Sequence, residues 1–244
     1  MNPTIELLTS HRSIRKFSDQ AIPDALLRDI VVAGQAAATS SFLQGTTVIR
    51  VTRPEVRAQF AELAGGQKYV ETAAEFLVLC ADLRRSSRCC DMHGAEATEG
   101  FTEQFIIATV DVALMGQNMV VAAESAGLGI CFIGGIRNDP QRASELLELP
   151  RGVYPVFGLC LGYPDQDPEV KPRLPPEVVL KTDVYRDDDR ETIEAYDEVA
   201  REYYRTRTGG TKDMSWSEQM SGLLGKESRP HMRGFLADQG FEMK

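Results

Sequence analysis

One stretch constrains the fold of this 244-residue chain more than any other. Thr102 to Ala126 runs as one helical pattern, with Phe105, Ile106, Val110, Val112, Leu114, Met115, Met119 and Val120 spread over several faces. A helix apolar on one stripe lies on a surface, whereas one apolar on several faces has to be surrounded. The pattern therefore predicts a buried central helix around which the other elements pack. Asp111, Gln117 and Asn118 within it argue against a membrane span, and Gly127 is placed to end it as the C′ residue. A 43% hydrophobic composition suffices for such a core, and the length suits one large domain or two small ones.

The remaining elements follow from local signals. Asn2-Pro3 opens a short helix through Leu8. Ile22-Pro23-Asp24 starts another, with Leu26, Leu27, Ile30 and Val31 as its apolar stripe up to Ala37. Thr47–Val51 is a β-branched strand, and Pro54 to Ala64 a helix. Glu75–Ala81 is dense in apolar side chains and predicts a central strand. Ile130–Ile133 and Val156–Gly162 complete the strands, with a helix from Asp139-Pro140 towards Leu149-Pro150 between them. Residues 84–95 read as polar and irregular. Five prolines from Pro164 to Pro176 predict an extended arm. Asp187-Asp188-Asp189 precedes a helix from Arg190 to Arg205, where the dipole favours negative charge. Ser215-Trp216 begins a further helix, and Lys226 to Pro230 leads into the last.

Against a net charge of -9, Arg12, Arg15 and Lys16 stand close together beside His11 and Ser13. On spacing alone this basic knot is either a solvated charged turn or an anion site. Guanidinium forks, a hydroxyl and an imidazole suit a phosphate, each charge-assisted bond contributing about 1.5–3 kcal/mol. The acidic balance argues against non-specific binding to nucleic acid or an anionic membrane. Thr39-Ser40-Ser41 forms a hydroxyl-rich turn that either only turns the chain or meets the polar edge of a flat heterocycle. Gly65-Gly66 leaves Gln67 on a loop. After Ile130–Ile133, Gly134-Gly135 makes a turn without side chains. Gly127 and Gly129 lack the third glycine of a dinucleotide fingerprint and follow a helix rather than a strand. Lys171 and Arg173 lie two apart in the arm and form a second basic pair. Arg205 to Lys212 reads as a flexible basic loop. Five cysteines without framework spacing, and no signal peptide at the start, predict reduced thiols in the cytoplasm. Cys89 and Cys90 are adjacent and lack a second ligand pair, so no metal site is expected.

Six ordered motifs carry a resemblance from about residue 3 to residue 240: His11 to Phe17, Ser40 to Gln44, Gly65 to Gln67, Phe132 to Asn138, Lys171 to Pro175 and Lys226 to Pro230. Together they resemble the nitroreductase family, in the branch of oxygen-insensitive NADPH nitroreductases and NADPH–flavin oxidoreductases. The resemblance implies an α+β fold with a mixed, mainly antiparallel sheet flanked by helices around a central buried helix. It implies one domain over residues 1–244, with 164–244 as extended arm and C-terminal helices, and an intertwined homodimer binding FMN. It further implies that His11, Arg12, Ser13, Arg15, Lys171 and Arg173, with Ile14 among them, surround the FMN phosphate and ribityl chain. Thr39, Ser40, Ser41 and Gln67 should meet the ring system, and Phe132, Ile133, Gly134 and Gly135 its N5 and O4 side. Arg207, Arg229 and Lys212 are the positions expected at the 2′-phosphate of NADPH. Thr39 stands where close relatives carry serine, and Lys212 where they carry arginine.

The expected activity is reduction of nitroaromatics, quinones or related small acceptors by NADPH through FMN, with ping-pong kinetics. The flavin carries the chemistry, and no catalytic side chain or general base is identified. The alternatives are a flavin reductase supplying reduced FMN to a partner, and a non-catalytic flavin carrier or redox sensor. The Cys89-Cys90 pair lends the last some support.

Overall fold

The computed structural model describes residues 2–207, 209–210 and 212–244; Thr208 and Thr211 of the basic loop, and Met1, lie outside them. The chain divides into two compact units, one comprising the residues up to Gln166 together with Arg229–Lys244, the other Asp167–Ser228. The first holds α1 (Pro3–Thr9), α2 (Asp24–Gln35), β1 (Thr46–Arg50), α3 (Pro54–Leu63), α4 (Tyr69–Thr72), β2 (Glu75–Asp82), α5 (Arg84–Met92), α6 (Thr102–Ser125), β3 (Gly129–Ile133), α7 (Pro140–Leu146) and β4 (Val153–Gly162). The second holds α8 (Pro176–Val179), α9 (Arg190–Thr206) and α10 (Trp216–Leu224), after which α11 (Met232–Asp238) belongs to the first again.

The four strands form one antiparallel sheet in the order β1-β2-β4-β3. β2 is central, as its sequence predicts, and all eight of its residues are buried. Its alternation feeds two cores, one on each face of the sheet. Leu77, Leu79 and Ala81 pack with Ile30 of α2 and Val112, Met115 and Met119 of α6. Phe76, Val78 and Cys80 pack with Val56 and Phe60 of α3 and with Ile14, Cys131, Ile133 and Ile136. Each fully buried large side chain contributes about 1.5–3 kcal/mol, so the two faces together dominate the stability of this unit.

α6 is the central helix that its composition demands. Gly127, at φ +77°, ends it: its N–H donates to Glu124 O at 3.0 Å and that of Leu128 to Ala123 O at 3.0 Å, both bonds of a Schellman motif. One stripe of α6 stays outside the core, however, with Ile106, Val110 and Leu114 each 45–49% exposed. These residues are spaced by four and so line one face.

Residues 84–92 differ from the sequence expectation, since they form α5 rather than an irregular segment. The helix has no apolar stripe to advertise it. Asp82 starts it: its Oδ1 accepts the Arg85 N–H at 3.2 Å, and Oδ2 lies 3.3 Å from the Arg85 guanidinium. In the second unit, α10 opens with a capping box, Ser215 Oγ accepting from Glu218 N and Glu218 Oε2 from Ser215 N.

Candidate functional site

The basic knot is an extended strand fragment rather than a turn. Ser13 bridges Ile130 in parallel fashion, and the Ile14 N–H donates to Ile130 O at 2.8 Å, on the edge of β3 that β4 leaves free. Further on, Phe17 bridges Pro164, and the Ser18 N–H donates to Tyr163 O at 2.9 Å. Ile14 and Phe17 drop into the core, whereas Arg15 and Lys16 stay exposed and His11, Arg12 and Ser13 are half-buried. Gly129 makes this possible, because a Cβ there would lie 2.6 Å from Ile14 Cγ1 and 2.7 Å from its Cβ. His11 is held by the end of α6, with Nδ1 2.6 Å from Glu124 Oε1, which leaves Nε2 for a ligand. The Arg15 guanidinium lies beside the side chains of Tyr69 and Cys131. Burial pushes both the Tyr69 phenol and the Cys131 thiol up, and Arg15 works against that rise.

Thr39–Gln44 is strained. Around a 3-10 turn at Ser40–Phe42, Ser41, Phe42 and Gln44 take φ of 50°, 56° and 52°. Left-handed backbone at non-glycine residues costs about 1–3 kcal/mol each and persists only where the surroundings enforce it. Two groups do so here. Asp111 of α6, 2% exposed, accepts the Ser40 N–H on Oδ1 at 3.2 Å, and its Oδ2 has no partner among the described residues. Arg85 of α5 donates to Gln44 O and Thr46 O, both at 3.1 Å. The loop borders a cavity of about 710 Å³ that Met115 and Cys89 also line, and Phe42 stands 81% exposed at its rim.

The two glycine loops meet. Gly65 and Gly66, at φ 87° and 77°, end α3, and the Gly66 and Gln67 N–H groups share Ala61 O at 2.9 and 3.0 Å. Gly134–Asn138 forms a 3-10 turn after β3. A Cβ at Gly135 would lie 2.8 Å from Ala64 O and 2.9 Å from Ala64 Cα. The glycine therefore serves contact with α3: its missing side chain points into the protein, not towards an approaching ring. Asn138 Nδ2 adds a bond to Leu63 O at 3.2 Å. Arg137, half-buried, donates to Val156 O and lies under Gly134, and burial lowers its pKa from the usual arginine value. Phe132 is 38% exposed and packs edge-on against Phe157 at 4.9 Å. Arg229 joins the same corner, with Nε and Nη2 3.1 and 2.9 Å from Asn138 Oδ1 and its backbone at φ 52°.

Lys171, Arg173, Arg207 and Lys212 belong to the second unit. The Tyr196 hydroxyl donates to Pro172 O at 2.9 Å and ties the arm to α9. Lys171 Nζ lies 5.2 Å, Arg207 Cζ 5.0 Å and Lys212 Nζ 5.9 Å from the centroid of the Tyr204 ring. A cation expected at one phosphate and two expected at another thus share a single aromatic ring.

Comparison with known proteins decides the family. The model described as "Nitroreductase family" matches residues 8–163, and that of the "Nitroreductase family, C-terminal domain" residues 171–244. The chain belongs to the nitroreductase family. It is 46% identical over 241 residues to the oxygen-insensitive NADPH nitroreductase of Salmonella typhimurium, covering 99% of both chains. It is 45% identical to the NADPH-flavin oxidoreductase of Vibrio harveyi, covering 98% of both. The solved NADPH:FMN oxidoreductase of Vibrio harveyi complexed with NAD+ superposes with a TM-score of 0.92 at 43% identity, with full coverage of both chains.

Within this nitroreductase fold, sequence reasoning missed three residues that hold candidate side chains in place, two in the first unit and one in the second. Asp111 was visible as a carboxylate in an apolar helix, a signal that counted there only against a membrane span. Arg85 lay in a segment read as irregular. Tyr204 sits on the buried face of α9, eight residues after Tyr196, and reads as ordinary core.

Proposed function

We propose that this chain is an FMN-dependent NADPH oxidoreductase that reduces nitroaromatics, quinones or related small acceptors. The observation that carries the reading is the assembly around β3. Its free edge holds the cationic strand His11–Arg15, and its end carries a Gly134-Gly135 turn seated on the loop that presents Gln67. The donor set fits FMN: cations for a phosphate at one end of a five-residue strand, polar and glycine loops for a ring at the other. When bound, the flavin supplies the hydride-transfer chemistry.

The chain's own residues bind and orient. His11, Arg12, Ser13 and Arg15, on a strand anchored by Ile14, take the phosphate and ribityl groups, with Lys171 and Arg173 as further cations. Thr39, Ser40, Ser41 and Gln67 meet the ring, and Phe132, Ile133, Gly134 and Gly135 line its other edge. Arg207, Lys212 and Arg229 bind NADPH through its 2′-phosphate. No side chain moves a proton, and we assign no general base.

Residues 1–244 act as one functional domain within a homodimer. The exposed Ile106, Val110 and Leu114 stripe supports such an interface, and the five free cysteines support a reducing cytoplasmic setting. NADPH and the acceptor occupy the same face in turn, so double-reciprocal plots at several acceptor concentrations should be parallel. Intersecting lines would refute shared occupancy. A relative named for flavin reduction favours free FMN as one acceptor; turnover with free FMN against a nitroaromatic ranks the two.

A further inference from the structure

The basic stretch of the second unit divides into cations that are neutralised and cations that are not. Arg201 pairs with Asp213 at 3.0 Å and Glu218 at 3.1 Å, and Arg205 pairs with Asp213 at 3.0 Å. Lys171, Arg207 and Lys212 carry no ion pair among the described residues. They gather instead on Tyr204, which is 5% exposed and donates its hydroxyl to Gln219 Oε1 at 3.1 Å. Arg207 also lies 5.9 Å from the centroid of Tyr203, and its Nε is buried without a hydrogen-bond partner among the described residues. Three like charges within 6 Å of one ring centroid repel one another, and the attraction of the ring face only partly offsets that. A phosphate dianion at Arg207 and Lys212 relieves the repulsion and gives the orphaned Nε–H an acceptor.

We propose that Tyr204 is the positioning residue for the 2′-phosphate of NADPH, holding Arg207 and Lys212 against its ring so that one phosphate dianion meets both. The inference rests on the NADPH reading above and deepens it: preference for NADPH over NADH is set by a residue that need not touch either. Burial alone would push the Tyr204 phenol up, yet Lys171 beside it, the Gln219 bond and the Lys212 charge bring it below the usual tyrosine value. That fits a ring in a strongly positive field. The same ring joins Lys171, a residue expected at FMN, to the two cations expected at NADPH. Occupancy of one phosphate should therefore be felt at the other.

The test uses the FMN-loaded full chain with Tyr204→Leu, Tyr204→Phe and Arg205→Ala. Tyr204→Leu removes the ring and should lower the ratio of kcat/KM for NADPH to that for NADH about tenfold, through KM for NADPH, with kcat changed less than about twofold. Tyr204→Phe keeps the ring and should retain most of the preference. Arg205, already paired with Asp213, should leave the ratio unchanged on removal. Calorimetric titration with adenosine 2′,5′-bisphosphate and with 5′-AMP gives a readout independent of turnover. The wild type should bind the bisphosphate at least about tenfold more tightly, and Tyr204→Leu should lose the difference. An equal fall for NADPH and NADH, or an intact bisphosphate preference in Tyr204→Leu, overturns the inference. A wild type that binds the bisphosphate through Tyr204 but does not oxidise NADPH overturns the reductase reading and leaves the cation platform standing.

Discussion

Replacing Gly129 by alanine tests the link between the sheet and the cationic strand. The new Cβ would lie 2.6, 2.7 and 2.9 Å from Ile14 Cγ1, Cβ and Cγ2. Carbon atoms settle at about 3.5–4.0 Å, so Ile14 has to retreat by roughly 1 Å. Its N–H now lies 2.8 Å from Ile130 O, and that retreat takes the bond beyond the usual limit of about 3.2 Å. Overpacking costs about 1–3 kcal/mol and the lost hydrogen bond about 1. A total near 3 kcal/mol lowers Tm by roughly 6–12 °C in a chain of this size. Arg15 moves with Ile14, so FMN affinity should fall by about tenfold for each 1.4 kcal/mol of misplacement. The assay is thermal unfolding with flavin content, run as a double-mutant cycle. Ile14→Ala alone costs about 2–5 kcal/mol, because Ile14 is buried. In Ile14→Ala/Gly129→Ala the approaches to Cγ1 and Cγ2 are gone while the 2.7 Å approach to the retained Cβ persists, so part of the overpacking is relieved and the loss should be smaller than the sum by about 1 kcal/mol. Additive losses, or an unchanged Tm in Gly129→Ala, would refute the contact as the device that seats the strand.

Arg15→Ala should lower bound FMN far more than Arg137→Ala, whereas Arg137→Ala, by orphaning Val156 O, should cost stability instead; equal flavin content in the two purified variants would refute the phosphate assignment. Val110→Glu places a charge in the exposed stripe of α6 and should yield monomer with reduced flavin content by analytical ultracentrifugation; an intact dimer would move the interface elsewhere. The second unit should weaken in acid. Burial would raise Asp197, but bonds from the Ser217 hydroxyl and N–H, from Ser215 and from Trp216 hold it below its usual value, and arginines hold Asp213 low. Glu218 is lowered chiefly by the Ser215 N–H. Groups with depressed folded-state values stabilise fully above their ordinary values near 4 and lose that contribution as pH falls through the folded ones. Denaturation followed through Trp216, the chain's one tryptophan, should therefore show a constant midpoint from pH 7 to about 5 and a fall below about 4; a midpoint flat to pH 3 would count against it.

Elements whose signal is apolar periodicity or a cap were legible in the sequence. The length of α6, its Gly127 stop, the centrality of β2 and the Ser215 start of α10 all follow from side chains that act on their own neighbours. α5 was not legible, because its start depends on Asp82, the last residue of a strand, and its body has no face to bury. The open stripe on α6 was hidden for the opposite reason: apolar residues on every face state that the helix must be covered, not by which chain. The left-handed backbone at Ser41, Phe42 and Gln44 had no local signal, since none is glycine. It exists because Asp111 and Arg85, 71 and 41 residues away from their partners in the loop, hold the loop shut.

The same distinction runs through the site. Residue types there were readable because a phosphate and a flat ring demand particular chemistry, but the reason for each residue was sometimes different from the one its type suggests. Gly134-Gly135 looks designed for close approach of a ligand, yet Gly135 is glycine because Ala64 lies where its side chain would be. Contact with α3 comes first and the ligand-facing geometry follows from it. The basic knot likewise looks like loose charge, yet its two bridges, to Ile130 and to Pro164, place Ile14 and Phe17 in the core at the expense of any local turn. Those two apolar residues fix the backbone that carries Arg15 and Lys16 between them. Binding of an anion at this strand should therefore depend on hydrophobic anchoring of the backbone that carries the charge. Substitutions at Ile14 or Gly129, which touch no ligand, should therefore act on flavin binding as strongly as the loss of one arginine.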